Sequence, residues 1–155
     1  VAGRTNAATA AFCAAHAHEA ALLSAAPPGP VGDEVDLIIT CTTSPEPIYH
    51  EDPRAHRLVI AVGAYTPEAA EVAAGTVRGS ALYVDDLVNA RAEAGDLLRA
   101  GVDWQQVRSI AQAIGAGAPA GPVLYKTVGS AAWDLAAARV AVAMHGCNKS
   151  VTGHR

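Results

Sequence analysis

Val35-Asp36-Leu37-Ile38-Ile39-Thr40 is a short apolar run rich in β-branched residues. It reads as a strand buried on both faces, as in a parallel sheet. The pattern returns at Arg57-Leu58-Val59-Ile60-Ala61-Val62, which stops at Gly63, at Ala81-Leu82-Tyr83-Val84-Asp85, and at Val123-Leu124-Tyr125-Lys126. Helical stretches separate these runs. Thr66-Pro67-Glu68 opens one, with Pro in the first turn and Glu near the positive end of the helix dipole. Asp86 to Ala100 reads as another, stopped by Gly101. Asp103 to Ile114 is a third, with Val107, Ile110, Ala111 and Ile114 on one stripe. Asn6 to Leu23 precedes the first strand, and Ser130 to Met144 follows the last, with Trp133, Ala137, Val140 and Met144 at helical spacing. Ser24 to Gly32 is dense in Pro and Gly and reads as a loop. The polar tail from Gly146 to Arg155 is expected to fray. Strands alternating with helices predict an α/β fold with a parallel sheet.

Composition narrows the function classes. The chain has 155 residues, enough for one domain with a real core. Hydrophobic residues make up 51% but aromatic ones only 5%, so much of the apolar content is Ala, which favours tightly packed helices. The net charge of −4 and the lack of a basic stripe argue against a nucleic-acid partner. No apolar run reaches the ~18 residues of a membrane span, and no signal peptide is visible, so no membrane partner is expected. Cys13, Cys41 and Cys147 are isolated, which suits reduced thiols in a cytoplasmic protein.

Val1-Ala2-Gly3-Arg4-Thr5 reads as the end of a strand running into an Ala-rich helix. In a dinucleotide-binding fold this is where the adenine ribose is gripped. NAD enzymes place Asp or Glu here for the ribose hydroxyls; an Arg and a hydroxyl, Arg4 and Thr5, suit a 2′-phosphate instead. A solvated Arg beside a simple N-cap Thr explains the same residues. The glycine-rich turn of such a fold lies ~20 residues before this point, where the chain has no residues, and the single Met is Met144. We therefore expect the C-terminal part of a longer enzyme, cut inside its cofactor domain.

Thr40-Cys41-Thr42-Thr43-Ser44-Pro45 follows a strand directly, and ligands of doubly wound sheets sit at strand carboxyl ends. Its hydroxyls suit ribose and phosphate contacts, or form an ordinary polar turn. Gly63 would let the backbone approach a nicotinamide ring, with Tyr65 near the reaction centre or a wall of it. His16 and His18 lie two apart on a helix, ~200° around its axis, and cannot chelate one ion. His50 and His56 flank a polar loop, so no metal site is expected. Asp85-Asp86 suits a strand end feeding a helix, with Asp86 as its cap, better than an acid–base pair. Gly95 inside a helix costs ~1 kcal/mol against Ala, which implies close packing or an adjacent ligand.

In order and spacing, these segments resemble the ornithine cyclodeaminase/mu-crystallin family. The matching stretches are Val1 to Thr5, Val35 to Thr42, Ala61 to Ala64, Tyr83 to Asp86, Glu93 to Leu97, Tyr125 to Gly129 and Asp134 to Ala138. The resemblance implies an incomplete Rossmann-type sheet over 1–129, lacking its first strand and glycine-rich turn. It implies that the helix and tail of 130–155 return to an N-terminal domain outside the chain. It also implies a dimeric enzyme using NADP(H) by preference, with NAD(H) possible, and a small cyclic imino-acid or amino-acid substrate. The catalytic Lys and Arg would lie in the N-terminal half, so no catalytic residue is assigned here. Arg4 and Thr5 match the 2′-phosphate grip. Thr40, Cys41 and Thr42 match the strand-end tip over the cofactor, Val62 and Gly63 the turn beside the nicotinamide, and Gly129 completes the cofactor-binding set.

One departure separates family members. Cyclodeaminases carry an Asp as base two residues after this Gly; here the position is Tyr65. Tyr, with a pKa near ~10, is a poor base at neutral pH. The resemblance therefore implies a ketimine reductase acting on Δ1-piperideine-2-carboxylate or Δ1-pyrroline-2-carboxylate. The alternatives are an ornithine cyclodeaminase, an alanine dehydrogenase-like enzyme, and a non-catalytic NADPH binder like mu-crystallin.

Overall fold

The computed structural model describes residues 1–19, 22–117 and 119–151, with side chains described as far as His145. The chain forms two compact units, Val1–Asp33 and Glu34–Arg155.

The first unit is built on α1 (Asn6–Ala15). Thr5 is its N-cap: the hydroxyl oxygen accepts from Ala8 N–H at 3.2 Å, answering one of the donors a helix start leaves unpaired. Thr9 donates to the Thr5 carbonyl and is buried with Cys13. The helix ends at Ala15, short of the expected Leu23. Past it the chain turns, with Glu19 N–H bonding the His16 carbonyl and the Glu19 carboxylate taking His16 Nδ1 at 2.9 Å. Part of the expected helix, Ala20 and Ala21, lies outside the described residues. Val1-Ala2 is not a strand. The Val1 ammonium donates to the Ser24 carbonyl and Ala26 N–H donates to the Val1 carbonyl, each at 2.8 Å; two bonds do not make a ladder.

The second unit holds five strands: β1 (Leu37–Thr40), β2 (Leu58–Ala61), β3 (Ala81–Val84), β4 (Arg108–Ser109) and β5 (Val123–Lys126). All pairings are parallel, in the order β1-β2-β5-β3-β4. With α2 (Ala74–Arg78), α3 (Leu87–Glu93), α4 (Gly95–Ala100), α5 (Ile110–Ala113) and α6 (Ala131–Val151) this is the expected α/β arrangement.

The register sorts side chains into two faces, because neighbours along a strand point to opposite sides. Ile38, Val59, Leu124 and Leu82 line one face, followed by Thr40, Ala61, Lys126 and Val84. Val59, Ala61, Leu82, Val84, Leu124 and Lys126 there are all buried. Leu37, Leu58, Val123 and Ala81 line the other face, followed by Ile39, Ile60, Tyr125 and Tyr83. That face is only half covered, and at the β1 edge Leu37 and Ile39 are 48% and 59% exposed. The expectation of burial on both faces therefore fails for β1.

Three helix expectations also change. The segment after Thr66-Pro67 makes only a turn, and α2 begins at Ala74. Its backbone is already engaged: the Glu71 and Val72 amides donate to Asp96, and the Glu71 carbonyl accepts from Ile48 and Tyr49. The helix expected over Asp86–Ala100 is two, α3 and α4, meeting at Ala94. Asp86 caps α3 by accepting from the Val88 and Asn89 amides, and Gly101 ends α4 at φ 63°, both as expected. The expected Asp103–Ile114 helix shrinks to α5. Arg108 and Ser109 pair with Tyr83 and Val84 as a strand, and a Ser109–Gln112 capping box starts the helix only after them. The fraying expected of the tail is not seen to Val151, where α6 ends; residues 152–155 lie outside the described residues.

Candidate cofactor-binding site

The carboxyl ends of β1 and β2 are tied together by a residue that neither strand contains. Glu71 is fully buried. Its Oε1 accepts from Thr42 N–H at 2.5 Å and Thr42 Oγ1 at 2.7 Å. Its Oε2 accepts from Thr40 Oγ1 at 2.9 Å and Gly63 N–H at 2.6 Å. Two of the four partners are backbone amides, which can only donate, and one reaches each oxygen, so both carboxylate oxygens act as acceptors. Gly63 is required at this spot, because a Cβ there would overlap the Thr42 backbone and the Glu71 carboxylate.

Behind Glu71 stands a second buried acid. Asp96 Oδ1 accepts from the Glu71 and Val72 amides at 2.6 and 2.8 Å. Its Oδ2 faces Lys126 Nζ at 3.2 Å, an ion pair outside hydrogen-bond geometry with both side chains at 0% exposure. Lys126 also donates to the Ala61 carbonyl at 3.3 Å. Two carboxylates against one ammonium give this interior cluster a net charge of −1.

A third carboxylate orders the loop after β5. Asp85 Oδ2 accepts from Thr127 Oγ1 at 2.6 Å and from the Val128 and Gly129 amides at 3.1 and 2.8 Å. Gly129 sits at φ 88°, a conformation that favours glycine. The Tyr125 hydroxyl is pushed above its ordinary pKa by burial and by the nearby Asp85 charge, with the Thr127 hydrogen bond pulling the other way.

The expected site residues fall as follows. Thr40, Cys41, Thr42, Val62, Gly63 and Gly129 all lie at strand carboxyl ends of the second unit. Cys41, Thr42, Val62 and Tyr65 are exposed; Thr40 is buried. The hydroxyls read as suited to phosphate are donated inward to Glu71, and the Gly129 amide to Asp85. Arg4 and Thr5 belong to the first unit; Arg4 is exposed and, among the described residues, forms no ion pair. The His residues and Asp85-Asp86 form no metal cluster among the described residues. Gly95 is explained by close packing: a Cβ would overlap the Thr66 and Ala69 carbonyl oxygens. The sequence reading missed Glu71, which stands in an Ala-rich stretch with no pattern around it. Lys126 did carry a signal, since an ammonium closing a buried apolar strand requires a partner.

No protein-family model matches the chain. Among characterised proteins, Delta(1)-pyrroline-2-carboxylate reductase 1 of Burkholderia multivorans is 52% identical over 142 residues, 91% of this chain and 46% of that protein. The Delta(1)-pyrroline-2-carboxylate/Delta(1)-piperideine-2-carboxylate reductase of Azospirillum brasilense is 50% identical over the same length and shares. Mouse ketimine reductase mu-crystallin is 35% identical over 111 residues, 68% of this chain and 34% of that protein. The chain belongs to the ornithine cyclodeaminase/mu-crystallin family. It spans less than half the length of these relatives.

Solved structures agree on the fold. The Thermococcus litoralis Delta(1)-pyrroline-2-carboxylate reductase with NADH and L-proline superposes at a TM-score of 0.69, with 21% identity, over 83% of this chain and 44% of that one. The iminosuccinate reductase of Paracoccus denitrificans with NAD+ gives 0.71, with 23% identity, over 88% and 46%.

Proposed function

We propose that this chain is the nicotinamide-nucleotide-binding part of a reductase for small cyclic imino acids. Its substrates would be Δ1-pyrroline-2-carboxylate and Δ1-piperideine-2-carboxylate, reduced to L-proline and L-pipecolate. The observation that carries this is the roughly half-identity to relatives bearing those names, over nearly the whole chain. In this reading 1–129 is the Rossmann-type part. Residues 130–155 dock on another domain of a cytoplasmic homodimer, which is consistent with α6 leaving Trp133, Leu135, Val140, Val142 and Met144 exposed. No helix among the described residues is long and apolar enough to cross a membrane.

The residues fit the carboxamide end of a nicotinamide nucleotide. Val62 and Tyr65 offer exposed apolar surface beside Gly63, and the Thr42 hydroxyl oxygen has its proton turned inward and a lone pair free. When bound, the cofactor supplies the hydride that the C=N carbon of the substrate receives. The chain's own task is to position it: Glu71 fixes the two strand-end turns in one geometry before any ligand arrives. Tyr65 stands where cyclodeaminases use a carboxylate base, which supports reduction over ornithine deamination.

Arg4 supports a preference for NADPH, since its guanidinium is uncommitted and exposed. The full-length protein should oxidise NADPH with Δ1-pyrroline-2-carboxylate and release no ammonia from L-ornithine. Arg4→Asp should shift the NADPH/NADH ratio of kcat/KM toward NADH by about tenfold, the value of one charge-assisted phosphate contact. Ammonia release at catalytic rates would overturn the reductase reading, and an unchanged ratio would remove Arg4 from the phosphate site.

A further inference from the structure

We infer that Glu71 is a specificity-determining positioning residue that makes the strand-end tip accept hydrogen bonds rather than donate them. The inference rests on the nucleotide reading above. The carboxyl ends of parallel strands commonly meet anionic ligands through free backbone N–H groups and hydroxyls. Here four such donors point inward: the hydroxyls of Thr40 and Thr42 and the amides of Thr42 and Gly63 all end on one carboxylate. A hydroxyl has one proton. With that proton on Glu71, the exposed Thr42 oxygen presents lone pairs only, one of them taken by Ser44 N–H at 3.3 Å.

Charge points the same way. Glu71, Asp96 and Lys126 sum to −1, and all three are fully buried. Water screens an interior charge poorly, so it is felt at the adjoining surface. A phosphate or carboxylate brought to Thr42 and Gly63 would meet a buried anion and lose the four donors already engaged. A carboxamide brings N–H donors and no charge. The tip therefore takes the carboxamide end of the nucleotide and refuses an anionic group. Asp96 holds Glu71 in this role through its main chain, accepting from the Glu71 and Val72 amides.

The test is equilibrium binding to the full-length protein, followed by intrinsic fluorescence. The probes are NADP+ and NAD+, each paired with its nicotinic acid counterpart, in which a ring carboxylate replaces the carboxamide. Wild type should favour the amide over the acid by about tenfold or more, and Glu71→Gln should narrow that ratio by about fivefold. Glutamine gives a Thr hydroxyl an N–H to accept, which frees its proton to face the ligand and removes the buried charge. Equal weakening of both nucleotides in Glu71→Gln, or no amide preference in wild type, would overturn the inference and leave Glu71 a structural tie. Should Glu71→Gln fail to fold, exposed Thr42 supplies the second arm. Thr42→Val should weaken the amide nucleotide and leave the acid unchanged; an equal change in both, or none, overturns the inference. Wild type binding none of the four probes would instead overturn the nucleotide reading itself.

Discussion

The two faces of the sheet are built from the same strands and meet very different surroundings. On one face Val59, Leu82 and Leu124 are buried, and the row beyond them ends in a fully buried ammonium opposite a fully buried carboxylate. On the other, Leu37 and Ile39 stand in solvent, and Ile60 and Tyr125 are half covered. A parallel sheet is ordinarily covered on both sides. The first face is complete within the chain, because α4 delivers Asp96 to Lys126 and the loop before α2 delivers Glu71 to the strand ends. The second has the composition of an interior without its cover. Stability and the candidate site thus share one face, and the other is where a covering surface has most to gain.

The strongest way to break this contrast is Lys126→Met. Removing one member of a buried pair leaves the other charge without its counter-ion, which costs about 3–5 kcal/mol. Urea unfolding should show the loss, and the unfolding midpoint should drop far enough to threaten the fold. The double variant Lys126→Met/Asp96→Leu sharpens the point. It removes the stranded charge but takes the acceptor from the Glu71 and Val72 amides, so it should recover only part of the loss. Full recovery would mean that Asp96 serves Lys126 alone and does not hold Glu71.

Much of this face was legible beforehand. Four strands were read from apolar runs, and the parallel sheet followed from their alternation with helices. Asp86 as a cap, Gly101 as a stop and Gly95 as a site of close approach were all local signals, and all three are met. What escaped depended on contacts distant in sequence. Glu71 lies 29 to 31 residues from the Thr40 and Thr42 groups it binds and 25 from Asp96; nothing near it in sequence marks an interior carboxylate. The helix expected after Pro67 lost to these same bonds, which hold its backbone extended. β4 was hidden in a helical stripe because a two-residue strand has no periodicity to detect. The hydroxyls at Thr40 and Thr42 were correctly placed at a strand end, yet the direction of their protons is set by Glu71 and could not be read from the run itself.

On the open face the same kind of substitution should matter little. Ile39→Thr replaces the ethyl arm of a β-branched side chain with a hydroxyl at a residue 59% exposed, and surface changes of this kind usually stay within about 0.5 kcal/mol. Urea unfolding of the 155-residue chain should place it beside wild type, an order of magnitude below Lys126→Met. A cost above about 2 kcal/mol, in the range of core truncations, would show that Ile39 is covered in solution. In that case the two faces are alike.

The smallest effect is a pH dependence at Tyr125, in the middle of the open face. Burial first, and the Asp85 carboxylate second, raise its hydroxyl pKa in the folded state. A group with a raised folded pKa holds its proton more tightly in the native chain than in the unfolded one. Its contribution is complete below the unfolded value, near ~10, and is lost as pH rises through the folded value. Stability should therefore be insensitive to Tyr125 at neutral pH and fall on the alkaline side. Tyr125→Phe removes the ionising group and should flatten that alkaline limb relative to wild type while leaving the neutral plateau nearly level. The measurement is the urea midpoint of both proteins from about pH 8 to about pH 11, bracketing the tyrosine range. Parallel alkaline limbs would mean that Tyr125 is as well hydrated in the folded chain as in the unfolded one. The half-cover now provided by Ile60 and Tyr83 would then count for nothing, and the open face would be more open than its side chains indicate.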